Sequence, residues 1–441
     1  MNTSKTKSQA SSQPSSQHFS QHKALALQAA IEQGLLHDNQ PHIALVNTQG
    51  ILDTAQALQN AFPENTRHCF AVKSNPYKKI LKVFNKAGVG AEVASSPELE
   101  LALKTGFPSD QIIFDAPVKT LQEIDRALSL GIDFNIDNFQ ELERVAVWFE
   151  GNSSASNIGF RINPQIGAGS VESTSTATQT SKFGIGLNDA GNRQKIIKAC
   201  QKHDWITCIH VHVGSVGCSI NLLTKGILIG YTLAEEINTS LNSRQICNLD
   251  IGGGLAVDYS NDEIPDFAEY KAALQQAIPE LFNGNYQVTT EFGRALISKN
   301  AITIGRVEYT KTTGGQAIAL THIGAQTLIR TIYDPTHWKR RISAFDANGI
   351  LKTDNEISQD IAGPACFSGD LIAKGRVLPK LAPNDYVLVH DTGGYHFSSH
   401  YQYNALPRLP VFGYKINENE QVKFKCFSRG QNIMDVINDY S

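Results

Sequence analysis

The chain has 441 residues, a formal net charge of −3, 41% apolar residues and 18% charged ones. That length exceeds one small domain, and the near-balanced charge leaves no electrostatic footprint for nucleic acid or an anionic membrane surface, so a small molecule is the expected ligand. Seven scattered cysteines, none in a C-x-x-C pair, argue against a disulfide framework or structural zinc site and fit a reducing cytoplasm; no apolar run is long enough to span a membrane.

Residues 1–22 are dominated by Ser, Gln, Thr and Lys, with Phe19 the one large apolar residue after Met1. Such a segment buries too little surface to offset its ordering entropy, and a disordered tail is expected. From Lys23 onward Leu25, Leu27, Ala30, Ile31 and Leu35 can form one helix face.

Between residues 43 and 295 short apolar strands alternate with amphipathic helical stretches, the pattern of βα units on a parallel sheet. The strand candidates are HIALVN, CFAVKS, GAEVAS, QIIFD, GIDFNID, NIGFRIN, CIHVHVGS, CNLDIGGG and QVTTEFGR. About eight such units make an α/β fold of the (β/α)8 barrel type, with its chemistry at the C-terminal strand ends. After Asn300 the helical period gives way to AITIGRVEYTKTT, AIALTHIG, DYVLVHDTGG and QVKFKCFSR, strands between Gly, Pro, Asn and Asp turns. Residues 296–441, with 23–42, are therefore expected to form a second, all-β domain. The Ser/Thr-rich stretch 167–184 follows the FRIN strand on the catalytic face, as a mobile lid or a plain surface loop.

Lys73 closes the CFAVKS strand just before Asn75-Pro76, so its amine faces the barrel mouth; burial there would lower its pKa and make it a nucleophile. Taken alone it could equally be a lysine snorkelling from a strand end. His212 ends another strand, where a flat imidazole can stack on a cofactor ring or be a satisfied core residue; Ser215, three residues on, can bond a phosphate. Gly252, Gly253 and Gly254 form a tight turn or an anion nest. EFGR brings Glu291 and Arg294 to the same rim: the arginine fork suits phosphate, and a carboxylate facing a pyridine nitrogen would keep it protonated, though a surface ion pair is the plain alternative. GPACFSGD holds Cys366, an acid for a carbanion or an inert thiol, and Asp370; Tyr395 and Asn404 follow in HDTGGYHFSSHYQYN.

Taken in order, AVKSN, AEVASSPEL, HVHVGS, DIGGG, EFGR, GPACFSGD and GGY…YN resemble the fold-type III decarboxylases dependent on pyridoxal 5'-phosphate (PLP), the family of diaminopimelate, ornithine and arginine decarboxylases. The resemblance covers about residues 43–410 and implies an alanine-racemase-like barrel with a β domain. It implies that Lys73 carries the cofactor covalently, that His212 stacks on its ring, and that Glu291 pairs with the ring nitrogen. Ser215, Gly253, Gly254, Arg294 and Tyr395 would hold the phosphate. Cys366 would enter a partner subunit's site as proton donor with Asp370 beside it, making the enzyme an obligate homodimer with two shared sites. Glu98 matches a carboxylate on the Lys73 side, Arg161 a strand-end arginine near the cofactor, and Asn404 joins Arg161, Phe367 and Asp370 on the substrate side.

Two positions depart from the family. Phe292 replaces a usual proline, leaving Glu291 and Arg294 in register. Phe367 stands where amine-binding members carry Asp or Glu; burying an ammonium without a partner costs roughly several kcal/mol, about a thousandfold in affinity. The expected reaction is decarboxylation of an amino acid or amino-acid conjugate. A racemase of the same fold and a non-catalytic PLP-binding protein are the alternatives, and Glu291 at the ring nitrogen favours decarboxylation over racemisation.

Overall fold

In the computed structural model, which describes residues 16–441, the chain enters through a helix (Ser16–Glu32) and strand β1 (His42–Asn47). The tail expected at 1–22 falls outside the described residues up to 15, but 16–22 continue the helix. The anchor lies one turn further on: Ala26, Leu27 and Ala30 are buried beside Ile43, Leu45, Ile302 and Ile304, and extending a nucleated helix backward costs little.

Eight strands close the barrel: β2 (Arg67–Ala71), β3 (Gly90–Val93), β4 (Ile112–Phe114), β5 (Asp133–Ile136), β6 (Ile158–Asn163), β8 (Ile206–Val211), β9 (Asn248–Asp250) and β10 (Gln287–Phe292), with a two-residue β7 (Ile185–Gly186) appended to β6. All pairings are parallel, and β10 returns to β2 with Glu291 opposite Cys69, sealing the ring. Helices such as Ser96–Thr105 and Ile220–Leu241 cover the outside, each started by a serine cap, Ser95 and Ser219.

One strand candidate belongs elsewhere. HIALVN is β1 of the second sheet, antiparallel to β11 (Ala301–Thr313) and parallel to β17 (Val411–Ile416). Ile43 and Leu45 enter the core of the second domain while Ala44 and Val46 enter the barrel's. A strand buried on both faces reads as a continuous apolar run in either sheet, so its pattern could not choose between them. The second sheet has nine strands and also contains β12 (Gln316–Thr321), β14 (Glu356–Ala362), β15 (Leu371–Pro379) and β16 (Tyr386–Val389). It is not purely β: short helices Ala325–Tyr333 and Ile433–Asn438 interrupt it. Among the described residues no helix is long and apolar enough to cross a membrane.

Candidate active site

β2 ends in a single tight turn, Val72–Ser74, because Pro76 forces Asn75 into extended backbone and no helix can continue. That turn presents Lys73 to a cavity of about 260 Å³ at the C-terminal face of the barrel. The lysine amine donates to both carboxylate oxygens of Glu92 on β3, each at 2.7 Å. This corrects the expected pKa: burial would lower it, but Glu92, then Tyr395 and Glu291, outweigh burial and hold Lys73 above the ordinary lysine range. Glu92 is fully buried, and motif reasoning passed over it in favour of Glu98. Glu98 instead accepts from the Ala94 amide at 2.8 Å, beside the start of the following helix.

Opposite Lys73, β10 carries Glu291, which is buried with its Oε2 3.3 Å from Nε2 of His210 and its Oε1 without a partner. His210, two residues before His212 on β8, lies between carboxylates; burial opposes its charge, but Asp250, Asp115 and Glu291 raise its pKa well above the usual histidine value. Arg161 pairs with Asp115, so burial of that acid is overridden and its pKa falls far below normal. Asp250 goes the other way, pushed up to about 8 by burial and by Glu291. The result is a buried chain of alternating charge, Arg161, Asp115, His210, Glu291, beneath the cavity, with Arg161 itself capped by the Phe183 ring. His210, His212 and Glu291 bring potential ligand atoms within 4.8 Å of one another, but a His210 held as a cation is a poor metal ligand.

His212 also lines the cavity; its Nδ1 accepts from the Gly253 amide at 3.2 Å, and burial with Arg161 and Lys73 nearby lowers its pKa well below normal, giving a neutral ring. Beside it lie Ser215 and the glycine turn. Gly254 has φ +96°, and a Cβ there would strike the Gly214 carbonyl; one on Gly253 would strike the Glu291 carbonyl. The opposite wall is Arg294, which donates to the Tyr259 hydroxyl at 3.0 Å and leaves Nε unpartnered, with Tyr395 against it at 4.6 Å. Tyr395 holds a left-handed φ of +62°, fixed by its amide on the Ser74 carbonyl at 2.9 Å, which ties the second domain to the lysine turn. The 167–184 stretch packs over this mouth: Ser173, Thr174 and Thr176 line the cavity, and the Ser215 amide donates to the Thr174 carbonyl at 3.0 Å.

The structure therefore brings Lys73, His212, Ser215, Gly254, Glu291, Arg294 and Tyr395 to one cavity, with Gly253 behind His212 and Arg161 below. It does not bring Cys366, Phe367, Asp370 or Asn404 to it. Cys366 is exposed, its amide on Asn404 Oδ1 at 2.6 Å, and Phe367 packs on Tyr333 and Tyr403. Asp370 is buried, its two oxygens taken by the Ala325 and Ala365 amides at 2.7 Å, so its carboxylate orders the turn instead of facing solvent. Besides Glu92 and His210, sequence reasoning missed Arg330, Tyr259 and Trp338, which continue the arginine wall.

An amine at a barrel mouth, an orphaned buried carboxylate oxygen facing it, a flat neutral imidazole and a glycine cradle beside an arginine define a site for a phosphorylated pyridine aldehyde. The donor set fits that group: the free Glu291 oxygen needs an N–H, and the cradle would be filled by any Cβ. The chain belongs to the pyridoxal-dependent decarboxylases: residues 48–298 match the family's pyridoxal-binding domain and 295–393 its C-terminal sheet domain. It is a PLP-dependent amino-acid carboxy-lyase, and the racemase and non-catalytic alternatives find no support. Similar curated proteins include the diaminopimelate decarboxylases of Bacteroides thetaiotaomicron, 28% identical over 82% of this chain and 93% of that one, and of Pseudomonas fluorescens, 30% identical over 77% and 79%. Among solved structures, diaminopimelate decarboxylase from Helicobacter pylori complexed with L-lysine superposes with a TM-score of 0.81 at 24% identity, covering 93% of this chain and 98% of that one. Lysine/ornithine decarboxylase from Vibrio vulnificus complexed with putrescine gives 0.73 at 22%, covering 88% and 97%. At those identities they support the fold.

Proposed function

We propose that this chain decarboxylates an amino acid with Lys73 as the cofactor-bearing amine and Glu291 as the partner of the ring nitrogen, in a site completed by a second copy of the chain. The observation that carries the reading is the convergence of Lys73 and the free Glu291 oxygen on one cavity. Bound PLP supplies an electron sink at the substrate Cα once its nitrogen is protonated.

The chain's own residues do the rest. Glu92 holds the Lys73 amine in place as an ammonium, and would take up its proton as that amine becomes nucleophilic. His210, gripped by Asp115, sets a positive charge beside Glu291 and orients its carboxylate toward the nitrogen. His212, held by the Gly253 amide, presents a ring face, while Ser215, Gly254, Arg294 and Tyr395 offer hydrogen bonds and charge to the phosphate. Cys366 protonates Cα from the partner subunit: it lies exposed, outside its own chain's cavity, within an aromatic patch of Phe367, Tyr333, Tyr401 and Tyr403 suited to an interface.

Borohydride reduction of the loaded protein should fix the cofactor on the peptide containing Lys73; covalent pyridoxyl retained by Lys73→Ala overturns the assignment. Mixing Lys73→Ala with Cys366→Ala, each inactive, should restore about a quarter of wild-type activity through hybrid dimers with one intact site. No recovery in a mixture shown to contain hybrids removes the shared-site reading.

A further inference from the structure

A second cavity, of about 660 Å³, lies between the two domains and shares no lining residue with the first. One side is the barrel helix Lys78–Lys86, which follows closely on the Lys73 turn; the other is β17 paired with the edge strand β18 (Val422–Ser428). Leu52, Val83 and Phe427 give it an apolar floor, and the Phe427 ring lies so close over Gly413 that a Cβ there would overlap it. Six lysines surround that floor: Lys79, Lys82 and Lys86 from the helix, and Lys415, Lys423 and Lys425 from the strands. No acid and no arginine lines the cavity; Asp53, Glu418 and Glu420, the acids on the flanking elements, stay outside its lining.

The lysines stand where like charges cost one another stability. On the helix Lys79, Lys82 and Lys86 recur at helical spacing and share one face, and KKILKVFNK holds no acid to offset them. Lys79 also stands in the first turn, at the positive end of the helix dipole. Across the strands Lys415 is directly opposite Lys423, and Lys425 follows on the same face. Among the described residues Lys82, Lys86, Lys415, Lys423 and Lys425 make no hydrogen bond or ion pair, and Lys79 donates only to the Cys426 carbonyl. Lysines on an edge strand guard it against pairing with another chain, but that accounts for Lys423 and Lys425 alone. A concave, apolar-floored pocket ringed by six like charges is what a multiply charged anion would complete.

We infer that this groove binds a small polyphosphate anion, its phosphates set among the lysines of the helix and of the hairpin. Inorganic polyphosphate and nucleoside polyphosphates share that chemistry. Ammonium groups act as compact point charges suited to phosphate, whereas a carboxylate is matched better by the arginine fork, which this pocket lacks. The concave shape favours a small molecule over a nucleic acid or a membrane surface, which the chain's net charge of −3 also disfavours. Helix and hairpin belong to different domains, so the ligand joins them across a seam already closed beside Lys73: the Asn75 side chain donates to the Gly393 carbonyl and the Tyr395 amide to the Ser74 carbonyl. Bound anion should therefore stabilise the folded chain.

The cofactor-loaded protein, whose other phosphate site is filled, should be titrated calorimetrically at low ionic strength with tripolyphosphate, ATP and citrate. Tripolyphosphate should bind once per chain, raise the melting temperature and lose affinity steeply in about 1 M salt, where screening acts within about 3 Å. ATP binding tighter than tripolyphosphate supports the site with a nucleoside against Phe427; ATP binding no tighter supports it with inorganic polyphosphate as the source. Citrate, a polyanion without phosphate, should bind more weakly. The triple variant Lys82→Gln/Lys86→Gln/Lys423→Gln should weaken tripolyphosphate by about tenfold or more, while cofactor content and CO₂ release stay at wild-type values. No saturable binding, unchanged affinity in the variant, citrate binding as tightly as tripolyphosphate, or cofactor displaced by the anion overturns the inference. So does tighter binding of polyglutamate, an oligonucleotide or anionic-lipid vesicles, since the occupant would then be a macromolecule or a membrane.

Discussion

The floor of the cavity and its second-domain wall handle charge in opposite ways. On the floor each cation has a carboxylate within reach, Lys73 on Glu92, Arg161 on Asp115, His210 on Glu291. On the wall Arg294, Arg330 and Arg340 lie against aromatic rings and none is in salt-bridge contact with a carboxylate, Asp391 acting on Arg340 only from further off. Charges that the chain itself neutralises are part of the folded machinery, because a buried ion is tolerated only when paired. Charges it leaves open mark where something from outside must bind. The floor thus sets the electronics of the reaction, and the wall offers charge to what binds.

The largest effect should come from breaking the floor. Glu291→Ala leaves the lysine, cradle and wall in place, so cofactor should still bind, with its absorbance altered by an unprotonated ring nitrogen. Turnover should fall on the order of a thousandfold, comparable with removing a preorganised electrostatic group elsewhere. Full activity in that variant, measured as CO₂ release, would remove the electron-sink role.

The wall gives the sharper contrast. Arg340 is a buried cation whose pKa is brought down to about 10 by burial, with Arg294 and Arg330 adding to it against the pull of Tyr259 and Asp391. Replacing it by an apolar residue of similar length, Arg340→Met, removes a desolvated charge but also its bonds to His396 Nε2 and the Lys339 carbonyl, so the cofactor-free protein should change in stability by no more than about 1 kcal/mol. The same variant should hold cofactor less tightly. Calorimetric melting of the apo form and a cofactor titration check the two halves together; an apo protein destabilised beyond that would show that Arg340 is structural.

The two regions were also unequally legible. Lys73, His212, Ser215, Gly254, Glu291 and Arg294 stand at strand ends, where an alternating βα pattern locates side chains without knowledge of the fold's details. Glu92 left a fainter signal: an acid inside the otherwise apolar GAEV strand must be buried, and a buried carboxylate requires a cation. His210 was readable by period two, since it shares a strand face with His212. The wall was not readable. The helix Ala325–Tyr333 is only nine residues long with a kink at Leu328, too short for its periodicity to register; Trp338 comes from the turn just after it and Tyr259 from a loop far off in the chain. Burial on both sides likewise hid which sheet β1 would join.

The smallest effect tests whether the floor's pairing is as tight in protons as in distance. Asp250 has its pKa raised to about 8 in the folded chain by burial and Glu291, whereas an unfolded aspartate ionises near 3.9. Between those values the native state holds a proton that the unfolded state has lost. Stability from this group is therefore complete at low pH and declines as pH rises, by up to about 1.4 kcal/mol per pH unit. His210, also raised, adds a decline of the same sign above its unfolded value. Asp250→Asn removes the first contribution only. Urea unfolding of the cofactor-free protein from pH 5 to 8 should give a shallower fall for the variant than for the wild type. Parallel slopes would mean that Asp250 is ionised in the folded chain, and that His210 alone balances three carboxylates.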